Sequence, residues 1–292
     1  MGSLITGVLE QGMIYAIMSL GVYITYRILD FPDLTVDGSF PLGAAVTAVL
    51  IMKGVNPYAT LFIATLAGAI SGVATGVIHV KFKVRDLLSS IIVMTALYSI
   101  NLRIAGKANL PLFGEETIFK NSVMDGIFQG GIKPYKTMII ILVVALVGKL
   151  LLDAYLITRS GYLLRAVGDN ETIVTSLAKD SGKVKIVGLA IANGLVALSG
   201  CVMCQQQRFF DISMGTGTMV IGLASVIIGT NIFKNVSKIK ATTSVVIGAI
   251  LYKGCVAAAI ELGMSATDMK LITSTLFLII LIATMDRKKK VK

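Results

Sequence analysis

A series of apolar runs constrains this chain more than any other feature. Each is about as long as a bilayer is thick, and short gaps carrying most of the charge separate them. A spanning helix needs about 20 mostly apolar residues, because each rises about 1.5 Å through roughly 30 Å of hydrocarbon. Runs of this kind occupy 4–28, 58–80, 87–104, 137–157, 186–203, 218–232, 241–260 and 269–285, with a shorter one ending near Met52. The chain has 292 residues, 55% hydrophobic and 15% charged, with a mean hydropathy of +0.84. A soluble domain carries roughly 45–50% apolar and about 25% charged residues. The polar surface needed to coat a globule is therefore missing, which argues against a soluble enzyme, a disordered chain and a secreted disulfide scaffold. A membrane barrel alternates in and out along each strand, and these long runs do not. The expected fold is all-α: a polytopic membrane helix bundle of about 8–10 transmembrane helices, some broken, forming a single domain over 1–292.

Lys and Arg total 27 against 16 Asp and Glu, giving 27 − 16 = +11. In a soluble protein that balance suggests nucleic acid. Here the chain has no Trp and little aromatic content to stack on bases. The basic residues instead gather between apolar runs, as cytoplasmic loops do. Lys81, Lys83 and Arg85 form one group; Arg159, Arg165, Lys179, Lys183 and Lys185 a second; Lys234, Lys238 and Lys240 a third; the tail 286–292 the last. These alternate with the less basic stretches 53–57, 105–135, 205–217 and 261–268. With the basic groups inside, the N-terminus lies outside and there are about nine crossings. The segment near 30–40 reads as a broken helix that could change this count.

The first run lacks a basic leader region and a cleavage site, so it reads as a retained span. Gly68, Gly72 and Gly76 form a GxxxGxxxG series, which lets helix backbones approach closely in lipid. Cys201 and Cys204 share one helix face, but one CxxC with a distant His79 is a weak metal signal, and both read as small buried residues. His79 itself reads as an interfacial side chain.

The long basic loop, 158–185, predicts a short amphipathic helix in its middle. Asp169 or Asn170 would cap its start, Lys179 would fall in the last turn and Gly182 just beyond. Ile173, Val174, Leu177 and Ala178 then share one face. Such a helix suits either a groove on another protein or the membrane surface. The most polar break beside a span holds Asp33, Thr35, Asp37, Gly38 and Ser39. Irregular backbone at membrane depth is tolerated where it lines a cavity or is buried in protein, so this segment is expected to border a pathway; an interfacial turn is the other reading. Thr95 and Asn101 are candidate pathway residues, with Glu10, Tyr98 and Asn193 also polar within spans. Interhelical hydrogen bonds account equally well for Asn101 and Asn193.

These residues carry a resemblance. Gly161, Arg165, Ala166, Gly168 and Asn170 match a G-x-x-x-R-A-x-G-x-N pattern, followed by Ser199–Gly200 and by Gly215, Gly217, Gly222 and Gly229. With the segment 31–44 (FPDLTVDGSFPLGA), this ordered set resembles permease subunits of bacterial ABC importers of the ribose and branched-chain amino-acid type, over about 10–285. The chain departs at 178–182, where Ala-Lys-Asp-Ser-Gly stands for a small apolar pair and Gly-Ile, and at 228–230, where Ile-Gly-Thr stands for Gly-Gly. The resemblance implies a type II-like importer permease, distantly related to vitamin B12-type permeases and multi-pass in the bacterial cell membrane. It further implies a second permease copy, most simply as a homodimer, with a cytoplasmic ATPase subunit docked near 169–180. Gly161, Arg165, Ala166, Gly168, Asp169, Asn170, Ile173, Val174, Leu177 and Ala178 would form that coupling region. An extracellular binding lipoprotein would deliver a small solute, an amino acid first. No nucleic acid is expected. The sequence contains no G-x-x-x-x-G-K-S/T loop, so ATP and magnesium would sit on the partner ATPase and this chain would carry no cofactor. The rival functional reading is an ion-coupled secondary transporter using Glu10, Asp33 or Asp37.

Overall fold

The computed structural model describes residues 2–121, 126, 128, 135–176, 180–234, 236, 239–263 and 269–289. Long apolar runs become helices because a helix satisfies its backbone groups within a single spanning segment. In order these are α1 (Gly2–Val22), continued by a π-helix over Tyr23–Ile28, α2 (Val36–Met52), α3 (Pro57–Lys81) and α4 (Asp86–Ala105). A short strand β1 (Asn109–Pro111) leads towards α5 (Lys136–Ile157). Two short helices follow, α6 (Arg159–Asp169) and α7 (Glu171–Ser176), then α8 (Ser181–Gln207) and β2 (Phe209–Asp211). A 3-10 turn (Ile212–Gly215), α9 (Thr218–Ile232), α10 (Ala241–Glu261) and α11 (Met269–Lys289) complete the chain.

Among the described residues, seven helices are long and apolar enough to cross a membrane, and Val36–Met52 and Leu271–Ile282 are shorter apolar helices. α2 is short because the chain does not turn directly into it. After Ile28 the backbone flips to φ 52° at Asp30, and α2 starts at Val36. The break is therefore shorter than the sequence suggested. It ends before Asp37, Gly38 and Ser39, which lie in the first turns of α2, with Pro41 inside the same helix. Pro41 is the sixth residue of α2, past the first turn whose N–H groups lack intrahelical acceptors, so it leaves the Asp37 carbonyl without its i→i−4 donor.

Local signals set the other boundaries. The Asn56 side chain accepts from the Tyr58 N–H, and Pro57 opens α3. Gly106, at φ 70°, closes α4. Asp180 caps α8 by accepting from the Lys183 N–H at 3.1 Å. α8 thus begins five residues earlier than the apolar run and takes in Gly182, which the sequence reading set beyond a helix end. α11 likewise runs past Met285 into the basic tail, to Lys289.

α8 is the central element, with the largest buried share (72%) of any span. It packs against α1, α2 and α3. A side chain at Gly72 would collide with the Leu189 carbonyl, and Gly68 and Gly76 meet Asn193–Ala197 and Ile186 in the same seam. Close backbone approach substitutes for the hydrophobic force that lipid cannot supply. α1 lies between α8 and α10, and α9 packs on α10. β1 and β2 pair antiparallel, Leu110 opposite Phe210, so the far ends of α4 and α8 lie on one side of the bundle. The ends of α3 and α5 and the starts of α4, α8 and α10 gather on the other, where the His79 ring bonds the Val84 carbonyl and Asp153 bonds Lys240.

Candidate functional site

The broken segment between α1 and α2 is tied into the centre of the bundle by a polar cluster. Asp33 is fully buried. Its Oδ1 accepts from the Thr35 N–H at 2.9 Å, and its Oδ2 accepts from Asn193 Nδ2 of α8 at 2.7 Å. The Ser39 hydroxyl donates to Asn193 Oδ1 at 2.7 Å and lies 2.8 Å from the Ser71 hydroxyl of α3. Thr35 and Thr75 hydroxyls are 2.8 Å apart. Every member is nearly sealed from solvent. Such a network is worth most when each polar atom is satisfied, because an unpaired buried group is penalised heavily at low dielectric. None of the ion pairs among the described residues includes Asp33.

Asp37, four residues further on, is half-buried and binds a different element. Its carboxylate accepts from the N–H groups of Gly217 (3.0 Å) and Met219 (2.8 Å) and from the Thr218 hydroxyl (2.9 Å). It therefore occupies the capping position at the start of α9, where the orphan N–H groups and the helix dipole favour an anion. Gly215 fits directly against the Asp37 carbonyl and the Pro41 ring. Gly38 packs on Leu97, and its carbonyl accepts from Asn101 Nδ2 at 3.1 Å. The structure thus brings Asp33, Thr35, Asp37, Gly38, Ser39 and Asn101 into one region. Thr95 is apart from them: it is exposed and bonds the Ile91 and Ile92 carbonyls of its own helix.

The coupling residues divide between two helices, where the sequence suggested one. The Thr158 side chain accepts from the Gly161 N–H and starts α6; Asn170, at φ −161° and ψ 100°, breaks the chain before α7. Asp169 ends α6, and Asn170 immediately precedes α7, so a helix does start where the sequence placed one; the added element is α6, which Thr158 starts well before it. α6 is amphipathic. Gly161, Leu164 and Val167 are buried, whereas Arg165, Ala166, Asp169 and Asn170 are exposed. Gly168 sits directly on the Ile28 carbonyl, leaving no room for a side chain, and Leu164 and Leu29 meet over Gly188 of α8. Val174 of α7 is buried. Leu177 and Ala178 lie outside the described residues, as does the side chain of Ile173. Beside this region His79, Lys83, Arg85, Asp180 and Lys185 line a cleft of about 560 Å³. The Lys183 backbone N–H, then its ammonium, hold the Asp180 carboxyl below the usual carboxylate range.

Sequence reasoning missed four participants. Ser71 and Thr75 of α3 complete the Asp33 cluster, and their spacing on the glycine-bearing face of that helix was the available signal. Asp153 of α5 bonds Lys149 (2.9 Å), Lys240 (3.3 Å) and Thr242 (2.6 Å), tying α5 to the start of α10. Lys253 is a charge in the middle of an apolar run. Cys201 and Cys204 are both fully buried, Cys201 against Thr60 and Gln205.

Comparison with known proteins places the chain. Residues 4–285 match the family described as branched-chain amino acid transport system / permease component. The tyrosine transport system permease protein of Clostridioides difficile (strain R20291) is 46% identical over 270 residues, covering 92% of this chain and 88% of that one. Protein RP368 of Rickettsia prowazekii is 34% identical over 93% of this chain and 94% of its own length. The ribose import permease protein RbsC of Haemophilus influenzae is 24% identical over 77% of this chain and 68% of its own. The helical bundle, its central broken segment and a match spanning almost every residue lead to one assignment: the chain is a multi-pass cell-membrane protein of the branched-chain amino-acid transport permease family, an ABC importer permease.

Proposed function

We propose that this chain forms the translocation pathway for a small solute, an amino acid and tyrosine first, in an ATP-driven importer. A second copy of the chain completes the pathway, each copy docks one cytoplasmic ATPase subunit, and an extracellular binding lipoprotein delivers the solute. The similarity to a tyrosine transport permease over 92% of the chain supports the substrate class.

One observation carries the mechanism: α6 rests through Gly168 on the Ile28 carbonyl, at the foot of the helix that feeds the Asp33–Ser39 segment. A push on the exposed side of α6 reaches Ile28 and Leu29 without slack, because backbone touches backbone there. It then passes along the residues before Val36 to the Asp33–Asn193 cluster and to α2. ATP binding and hydrolysis, with magnesium, belong to the partner, and closure of the ATPase pair biases two arrangements of this segment. The exposed Arg165 and Asp169 give the partner a charged surface to engage.

The test is transport in proteoliposomes holding this chain, its ATPase and its binding lipoprotein. Labelled tyrosine should accumulate only with ATP inside the ATPase compartment and with the lipoprotein present. Tyrosine accumulation by the chain alone, driven by a proton or sodium gradient, would establish the secondary-transporter reading in its place.

A further inference from the structure

Lys253 sits eight residues before Glu261, the end of α10, or about 12 Å of helix rise from it. A lysine this deep ordinarily extends its chain towards the interface. Lys253 does not. It is only 7% exposed, and its ammonium lies 3.9 Å from the centre of the Tyr15 ring of α1. None of the ion pairs among the described residues includes it. A ring face stabilises a cation, but by less than the removal of an ammonium from water disfavours it. No carboxylate among the described residues pairs with it.

Space for an anion adjoins the lysine. A cleft of about 190 Å³ between α1 and α10 is lined by Lys253 together with Gly7, Val8, Gln11, Val256 and Ile260. That volume is many times the roughly 15 Å³ a single water needs. Next to it Gly12 packs on the backbone of Ile250, while Gln11 is exposed. The polar side chains lining it are one ammonium and one amide, both hydrogen-bond donors; the other side chains are small or apolar. One cation and one amide against apolar walls match a monocarboxylate better than a doubly charged phosphate.

We infer that Lys253 and Gln11 hold the carboxylate of the transported solute in the cleft between α1 and α10. The inference rests on the amino-acid importer reading above and names the group of the solute that this chain grips.

The test uses the purified complex of this chain with its ATPase in phosphatidylcholine nanodiscs, with labelled tyrosine displaced by tyrosine, tyrosine methyl ester or tyramine. The last two lack the free carboxylate. The complex should prefer tyrosine by about ten-fold, the size of one hydrogen bond to a charged group. Lys253→Met should erase the preference while tyramine still binds, Lys253→Arg should keep it, and Gln11→Ala should reduce it. Should Lys253→Met fail to assemble, the Arg and Gln11 variants decide, and an unchanged preference in Gln11→Ala then counts against the site. An undiminished preference in Lys253→Met overturns the inference. So does a lysine effect that appears only when phosphatidylglycerol is added to the nanodisc, which assigns Lys253 to a lipid headgroup. Wild-type complex that binds no tyrosine overturns the tyrosine reading above and this inference together, an outcome distinct from the other two.

Discussion

Asp33 and Asp37 stand four residues apart, one in the break and one in the first turn of α2, and are held by different means. Asp33 is buried among neutral donors, and its Asn193 partner also accepts from Ser39. Removing the amide leaves a buried carboxylate short of a donor and a serine without its acceptor, whereas neutralising the acid removes the charge itself. Asn193→Ala should therefore lower stability by about 2–3 kcal/mol, the scale of losing a hydrogen bond to a charged group. Asp33→Asn should cost less. Thermal unfolding of the detergent-solubilised protein, followed by size-exclusion recovery, reads both; equal losses would mean that Asp33 is not the group Asn193 serves. Asp37 is instead a cap supplied from another helix, gathering two N–H groups and a hydroxyl at the start of α9. Asp37→Ala should cost about 1–2 kcal/mol, as helix caps do, and loosen α9. Hydrogen exchange should show it as faster exchange at Gly217 and Met219, with α3 unchanged.

At the scale of elements, α6 separates two kinds of variant. Arg165 is exposed, so Arg165→Glu should leave the thermal midpoint unchanged and weaken coupling between ATP hydrolysis and tyrosine uptake. Gly168→Leu should act on both, because the added side chain must push α6 off the Ile28 carbonyl. Overpacking of this kind costs about 1–3 kcal/mol. Uptake and ATPase rates measured together on each variant decide; unchanged coupling in both would remove α6 from the mechanism. The helices themselves were legible in the sequence because apolar length is a local property: 218–232 and the end of α2 at Met52 were read directly from it. What stayed hidden depended on capping chosen between neighbours. Thr158 and Asp180 claimed helix starts of their own, so the helix expected after Asn170 is α7, preceded by α6 and followed by the early start of α8. Of the polar centre, Asp33 to Ser39 were visible as a charged break, whereas Ser71, Thr75 and Asn193 join it only through the crossing of α3 over α8, which no single run records.

For the whole molecule, the two ends differ in a way that charge and geometry describe independently. The β1–β2 pairing fixes Asn109 and Asp211 on one face, and the cleft lined by His79, Lys83, Arg85 and Lys185, with α6 beside it, lies on the other. Lys and Arg concentrate on the second face, which the positive-inside tendency assigns to the cytoplasm. An importer of this family takes its solute from a binding protein on one side and its energy from an ATPase on the other, so this orientation must agree with the docking of α6. Single cysteines at Asn109 and Lys83, placed in a Cys255→Ser background because Cys255 is exposed, test it. A membrane-impermeant maleimide applied to intact cells should label the Asn109→Cys protein. It should reach the Lys83→Cys protein only after the cells are opened. The reverse pattern would put α6 outside, where no ATPase could meet it. The chain would then need another source of energy, and the route from Gly168 through Ile28 to Asp33 would carry no push from a motor.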